Sequence, residues 1–156
     1  MRTVAYVGAW LAILAGVSHA QTEPGIEALA VVHRLFNGMR AGDSAMVRSV
    51  FDLDARLVAT ETRDGQPTVR LTTADAFVAA VGRPHEAMWD EQIWDTEVRV
   101  DGNLAAVWTR YAFFLGGRFS HCGVDAFHLV RRADGWKIVD LADTRQREDC
   151  AMPPGR

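Results

Sequence analysis

The sequence predicts an α+β fold: three N-terminal helices packed in the concave face of a strongly curved, mostly antiparallel sheet, a cone-like α+β barrel. Three observations predict it. Apolar residues recur at three- and four-residue steps in two early stretches, the period of an amphipathic helix. From Trp89 onward the pattern changes to four long runs of strand character, joined by DG, GG and ADG, all of them hairpin chemistry. Helices therefore come first and the sheet after, and strands this long bury one side by curling around helices.

Thr22, Glu23 and Pro24 open the first helix, and Ile26, Leu29, Val32, Leu35, Phe36 and Met39 give it one apolar stripe that ends near Gly42. Asp43 is placed to cap a second, shorter helix with Met46, Val47, Val50 and Phe51 on one side. Two extended pieces follow, ARLVATET and TVRLT, around the turn-forming RDGQP. A third helix starts at Thr72 or Thr73, carries Phe77, Val78 and Val81, and stops at Gly82 before Pro84. The sheet then reads QIWDTEVRV, NLAAVWTRYAFFL, RFSHCGVDAFHLVRR and WKIVDLADT.

The last hairpin carries the ionisable residues. Its turn, R-ADG-W, suits a three-residue loop with Gly135 left-handed, pairing Arg132 with Trp136. Val130 then meets Ile138, Leu129 meets Val139, Phe127 meets Leu141 and Asp125 meets Asp143. One face runs Leu129, Val139, Phe127, Leu141 and turns polar at Asp125, Asp143 and His121. The other carries Val124, Ala126, His128, Val130, Trp136, Ile138 and Asp140. The preceding strand sets Val107 against Phe127, Thr109 against Asp125 and Phe113 against His121, with Tyr111 close by; a one-residue slip would substitute Trp108 and Arg110. An apolar floor leading to clustered ionisable groups is the composition of a ligand pocket, here walled by Trp94, Thr109, Tyr111, Phe113 and Phe127.

Residues 1–20 show one early charge at Arg2, an apolar stretch and a small-x-small end at Ser18 and Ala20, the order of a secretory signal peptide. Cleavage there starts the mature chain at Gln21 and leaves one domain, residues 21–150, with a flexible tail at 151–156. The product is expected to be periplasmic or secreted, soluble, and free of the membrane once the signal is removed. Of 17 basic and 20 acidic residues only Arg2 leaves with the signal, so the chain stays acidic and no basic run offers a nucleic-acid surface. In an oxidising compartment the two cysteines, Cys122 and Cys150, are expected to pair. The hairpin register sets Cys122 opposite position 146, four short of Cys150, so a short return of the chain joins them. A nucleophilic Cys122 is disfavoured because its strand neighbour His121 points to the other face.

The segment HCGVDAFHLVRRADGWKIVDLADTRQREDC, with the upstream LAAVWTRYAFF, resembles the nuclear transport factor 2-like superfamily, which includes SnoaL-like proteins, and within it a group of exported bacterial proteins labelled "putative lumazine-binding". The resemblance covers nearly all of the mature chain. It implies a small hydrophobic or aromatic ligand inside the cone, and a homodimer through the outer sheet face. Isomerases and dehydratases of this superfamily set acids, bases and tyrosines in the cone, and Tyr111, Asp125, His121 and Asp143 are chemically comparable.

Two functions remain open on the residues. One is an exported small-molecule-binding protein with an aromatic-lined pocket; the other is a cofactor-independent isomerase, dehydratase or hydrolase using His121 and Asp125, with Asp143 beside them. His121 and Asp125 lie four apart on one strand, roughly 13 Å, so direct contact needs a bulge at Gly123. A structural role for the aspartates competes with both, through a salt bridge from Asp143 to Arg145 or Arg147. No metal is expected: His121 and His128 face opposite sides, and HExxH and paired Cys/His spacings are absent.

Overall fold

The computed structural model describes residues 22–155; the signal segment read in residues 1–20 lies outside them. Helix α1 spans Glu23–Ala41, α2 Ser44–Val50 and α3 Ala74–Val81, with strands β1 Phe51–Arg63, β2 Gln66–Thr73, β3 Trp89–Asp101, β4 Leu104–Leu115, β5 Arg118–Arg132 and β6 Gly135–Arg145. Among the described residues no helix is long and apolar enough to cross a membrane. In the segment after the last strand Pro153 is buried.

The helix ends follow local chemistry. Gly42 takes the left-handed conformation (φ 65°) that closes α1, and its N–H donates to the Met39 carbonyl at 3.2 Å. Asp43 caps α2 by accepting from the Met46 N–H at 2.9 Å, and Thr73 caps α3 by accepting from Ala76 at 3.1 Å. Phe51, expected on the second helix, instead opens β1, because the chain turns extended at that residue.

The six strands run in the order β2-β1-β6-β5-β4-β3. Only β1 and β6 pair in parallel; every other pair is antiparallel. This is the α+β arrangement the sequence predicts, with the helices against one face of a curved, open sheet. Val32, Leu35, Phe36 and Met39 of α1 pack with Val107, Phe127, Leu129 and Ile138 of the sheet. Phe36 meets Phe127 edge-on at 6.0 Å, and Arg40 fastens the end of α1 to β3 through Asp90 at 2.7 Å.

The β4–β5 pairing has the expected register, with Val107 opposite Phe127, Thr109 opposite Asp125 and Phe113 opposite His121. The last hairpin departs from it at the turn. Arg132 pairs with Gly135, a two-residue loop, and Leu129 faces Ile138 rather than Val139. A shift between His128 and Leu129 restores the expected pairing at Phe127–Leu141 and Asp125–Asp143. Trp136 and Ile138 therefore belong to the buried face (4% and 0% exposed), not the outer one. The tighter turn costs one residue of register, and the bulge returns it before the polar end.

Cys122 and Cys150 form a disulfide. The strand beyond β6 supports it: Cys122 and Gln146 exchange two backbone hydrogen bonds at 2.9 Å, and the chain returns over the next four residues. Closing a 28-residue loop is worth about 3.5 kcal/mol in the chain-entropy view.

Candidate functional site

Between the helices and the concave side of the sheet lies a cavity of about 330 Å³. The sheet supplies it in rows. Cross-strand pairs put Arg70, Ala59, Asp143, Asp125 and Thr109 in one row from β2 to β4, and Thr72, Leu57, Leu141, Phe127 and Val107 in the next. Residues of one row that share a face look into the same space. Phe77, Ala76 and Ala80 of α3 and Met39 of α1 close the helical side, while Trp89, Glu91 and Phe113 form the wall from β3 and β4. Trp89 and Phe113 meet edge-on at 6.2 Å, and Trp89 also stacks against His85 at 4.3 Å.

The polar groups gather at the inner end. Asp125 lines the cavity and is 2% exposed. Its carboxyl lies beside that of Glu91. Burial, then the Glu91 charge and the hydrogen bond between the two, push Asp125 well above the usual carboxylate range. Glu91 is raised to about 7, chiefly by burial, with the Asp143 charge adding to it. Two carboxyls so placed hold a proton between them, and one donates to the other.

Asp143 has a different partner. Arg145 Nε donates to its Oδ2 at 2.5 Å, so of the two arginines the sequence offered, Arg145 is the one engaged. Tyr111 is 1% exposed; its hydroxyl donates to the Thr144 carbonyl at 2.8 Å, with Asp143 Oδ2 at 3.4 Å. Burial and the three neighbouring carboxylates hold it protonated at every ordinary pH. With its proton directed at Thr144, the phenol offers the cavity only lone pairs.

His121 borders the same cavity, between Tyr111 (ring centroids 5.7 Å apart) and Phe113 (5.0 Å). Burial and the Arg145 and Arg147 charges lower its pKa to about 4, so the ring is neutral at pH 7. Nδ1 hydrogen-bonds the Ser120 hydroxyl at 3.0 Å. The β4–β5 ladder runs without a shift from His121 to Phe127, so Gly123 makes no bulge and His121 stays four residues from Asp125. Gly123 has another task. A Cβ there would lie 1.9 Å from the Thr144 carbonyl oxygen, the one Tyr111 binds. The bare backbone lets β6 press in far enough for that bond.

Of the residues expected in the wall, Tyr111 and Phe113 line the cavity and Phe127 lies beneath it in the core. Thr109 and Trp94 do not line it. Thr109 is fully buried, donates to the Trp94 carbonyl at 3.1 Å and hydrogen-bonds Thr96 at 2.7 Å, where β3 bulges between Trp94 and Glu97. Trp94 pairs with Arg110 on the opposite face of the sheet and borders a smaller space of about 150 Å³ next to the disulfide. Glu91, Trp89, Phe77 and Arg70 were missed. For Glu91 and Trp89 the signal was the alternation Trp89-Glu91-Ile93, cut off by starting the strand at Gln92. Among the described residues no group of three or more His, Cys, Asp and Glu side chains is placed to hold a metal ion.

The model of the family described as "Putative lumazine-binding" matches residues 25–141. No curated protein matches. Among solved structures, a single-residue variant of the Mycobacterium tuberculosis protein Rv3472, described as of unknown function, superposes with a TM-score of 0.61 at 16% identity, over 80% of this chain and 77% of its own. A "putative dehydratase from the NTF2-like family" of Streptomyces avermitilis gives 0.59 at 17% identity, over 79% and 96%. An NTF2-like protein with a cystatin-like fold from Novosphingobium aromaticivorans gives 0.61 at 14% identity, over 80% and 84%. At such identities the structures speak for the fold, and the family model speaks for the family: the chain belongs to the "Putative lumazine-binding" family and carries the NTF2-like, cystatin-like fold.

Proposed function

We propose that the chain is an exported small-molecule-binding protein whose cone takes up a flat, largely apolar ligand with a neutral hydrogen-bonding group at its inner end. One observation carries this reading. The Asp125 and Glu91 carboxyls, with one proton between them, line the end of a cavity of about 330 Å³, within the size range of ligand pockets. Trp89, Phe113 and Phe77 supply flat apolar surface, and the proton shared by Glu91 and Asp125 lets the inner end both donate to and accept from a carbonyl, hydroxyl or ring amide. The family's description supports a flat heteroaromatic molecule. The disulfide and the signal-like residues 1–20 support export.

Native mass spectrometry of protein isolated from its exported compartment tests it. Wild type is expected to carry an added small-molecule mass, released on unfolding, and Asp125→Asn to hold it at least about tenfold more weakly, as for a lost charge-assisted hydrogen bond. Wild type that is empty, and stays empty after incubation with a small-molecule extract of that compartment, contradicts the proposal.

A specific observation supports a second reading, acid–base catalysis. Glu91, with a midpoint near neutrality, is poised to move a proton to or from a bound carbonyl compound. Here Asp125 and Glu91 carry the proton, and neutral His121 and the Asp143–Arg145 pair polarise the substrate, in place of a His121–Asp125 couple. Recovery of the released molecule unchanged after long incubation with fresh protein excludes it.

A further inference from the structure

We infer that the ligand is an anion: an aromatic carboxylic acid, its neutral oxygen against Glu91 and Asp125 and its carboxylate against Arg70. The inference rests on the binding reading above and adds the chemistry of the ligand's outer end.

Arg70 stands on β2, directly opposite Ala59 of β1, and lines the cavity although the residue is exposed. It therefore sits at the mouth. Among the described residues its guanidinium meets no carboxylate within ion-pair distance; its one side-chain hydrogen bond is a donation to Thr72 Oγ1 at 3.3 Å. Arg145, the other arginine of the lining, is taken up by Asp143 at 2.5 Å. Arg70 is thus the cation left open toward the cavity, with a planar fork suited to a carboxylate.

The length follows from the sheet. Arg70 and Asp125 share a row and stand three strands apart, about 14 Å between backbones at ordinary strand spacing, less the reach of the two side chains and the curvature. An aromatic ring system with one substituent at each end bridges the two groups. A carboxylate at the inner end would face Asp125, Glu91 and Asp143, so the anion belongs at the mouth.

The test uses 6-acetyl-2-naphthoate and its neutral carboxamide, titrated against wild type and Arg70→Gln with tryptophan fluorescence as the readout. Wild type is expected to prefer the acid by about fivefold, the size of a partly solvated ion pair, and to lose that preference in high salt. Arg70→Gln is expected to bind the two equally, with carboxamide affinity unchanged. Equal binding of both probes by wild type overturns the anionic ligand and leaves the binding reading standing. An acid preference that survives in Arg70→Gln, or an equal loss of both probes, overturns the assignment to Arg70. Failure of both probes to bind overturns the inference and leaves the binding reading to its own mass-spectrometric test.

Discussion

The chemistry of the cone turns on three titratable side chains whose environments move them in opposite directions. Glu91 is raised from 4.5 to about 7 and Asp125 is raised as well, so the folded chain holds protons that the unfolded chain releases. The contribution of Glu91 to stability is complete below pH 4.5 and is lost as pH rises through about 7. His121 is lowered from 6.5 to about 4, so its contribution is complete above pH 6.5 and is lost as pH falls through about 4. Between pH 4.5 and 6.5 the slopes oppose one another, and above that window the carboxyl pair dominates. Urea midpoints of wild type should therefore fall relative to those of Glu91→Gln between pH 4.5 and about 7 and hold a constant difference above it. His121→Gln should flatten the acid side instead. Identical profiles for all three proteins would mean that neither group is perturbed as the structure indicates.

The last hairpin is the element that positions these groups, and Gly123 is its tightest point. The residue is not needed for an unusual backbone angle but for space: the Thr144 carbonyl occupies the place of a Cβ, and the Thr144 hydroxyl accepts the Val124 N–H at 3.0 Å in place of a ladder bond. Gly123→Ala should cost at least about 2 kcal/mol by urea unfolding, because β6 must withdraw and Tyr111 loses its acceptor. A variant as stable as wild type would show that the approach is slack. Much of this hairpin was legible in advance. The alternation around Asp125 and Asp143 gives their register, and the spacing of Cys122 and Cys150 gives the clamp. The turn misled because Ala133-Asp134 closes as a two-residue loop, with the compensating bulge buried in an apolar run that carries no glycine or proline to announce it. Trp94 misled because the β3 bulge, where Asp95 takes a positive φ of 51°, changes which face the strand presents. Glu91 was invisible as a partner of Asp125, since strands far apart in sequence bring them together.

At the scale of the whole molecule, the sheet gathers side chains from all six described strands around one cavity, and the helices close its apolar side. Rows of paired residues run from Arg70 at the mouth to the buried carboxyls within, so the polarity of the cavity is graded along the sheet rather than along any single strand. The central claim is that this fold holds two carboxyls from different strands around one proton at the cavity's inner end. Carboxyl ¹³C chemical shifts followed from pH 3 to pH 10 test it most directly. The account predicts a Glu91 midpoint near 7, an Asp125 midpoint well above 3.8, and a Glu91 midpoint that moves when Asp125 is replaced by Asn. Midpoints near 4.5 for Glu91 and 3.8 for Asp125, each indifferent to the other residue, would contradict it.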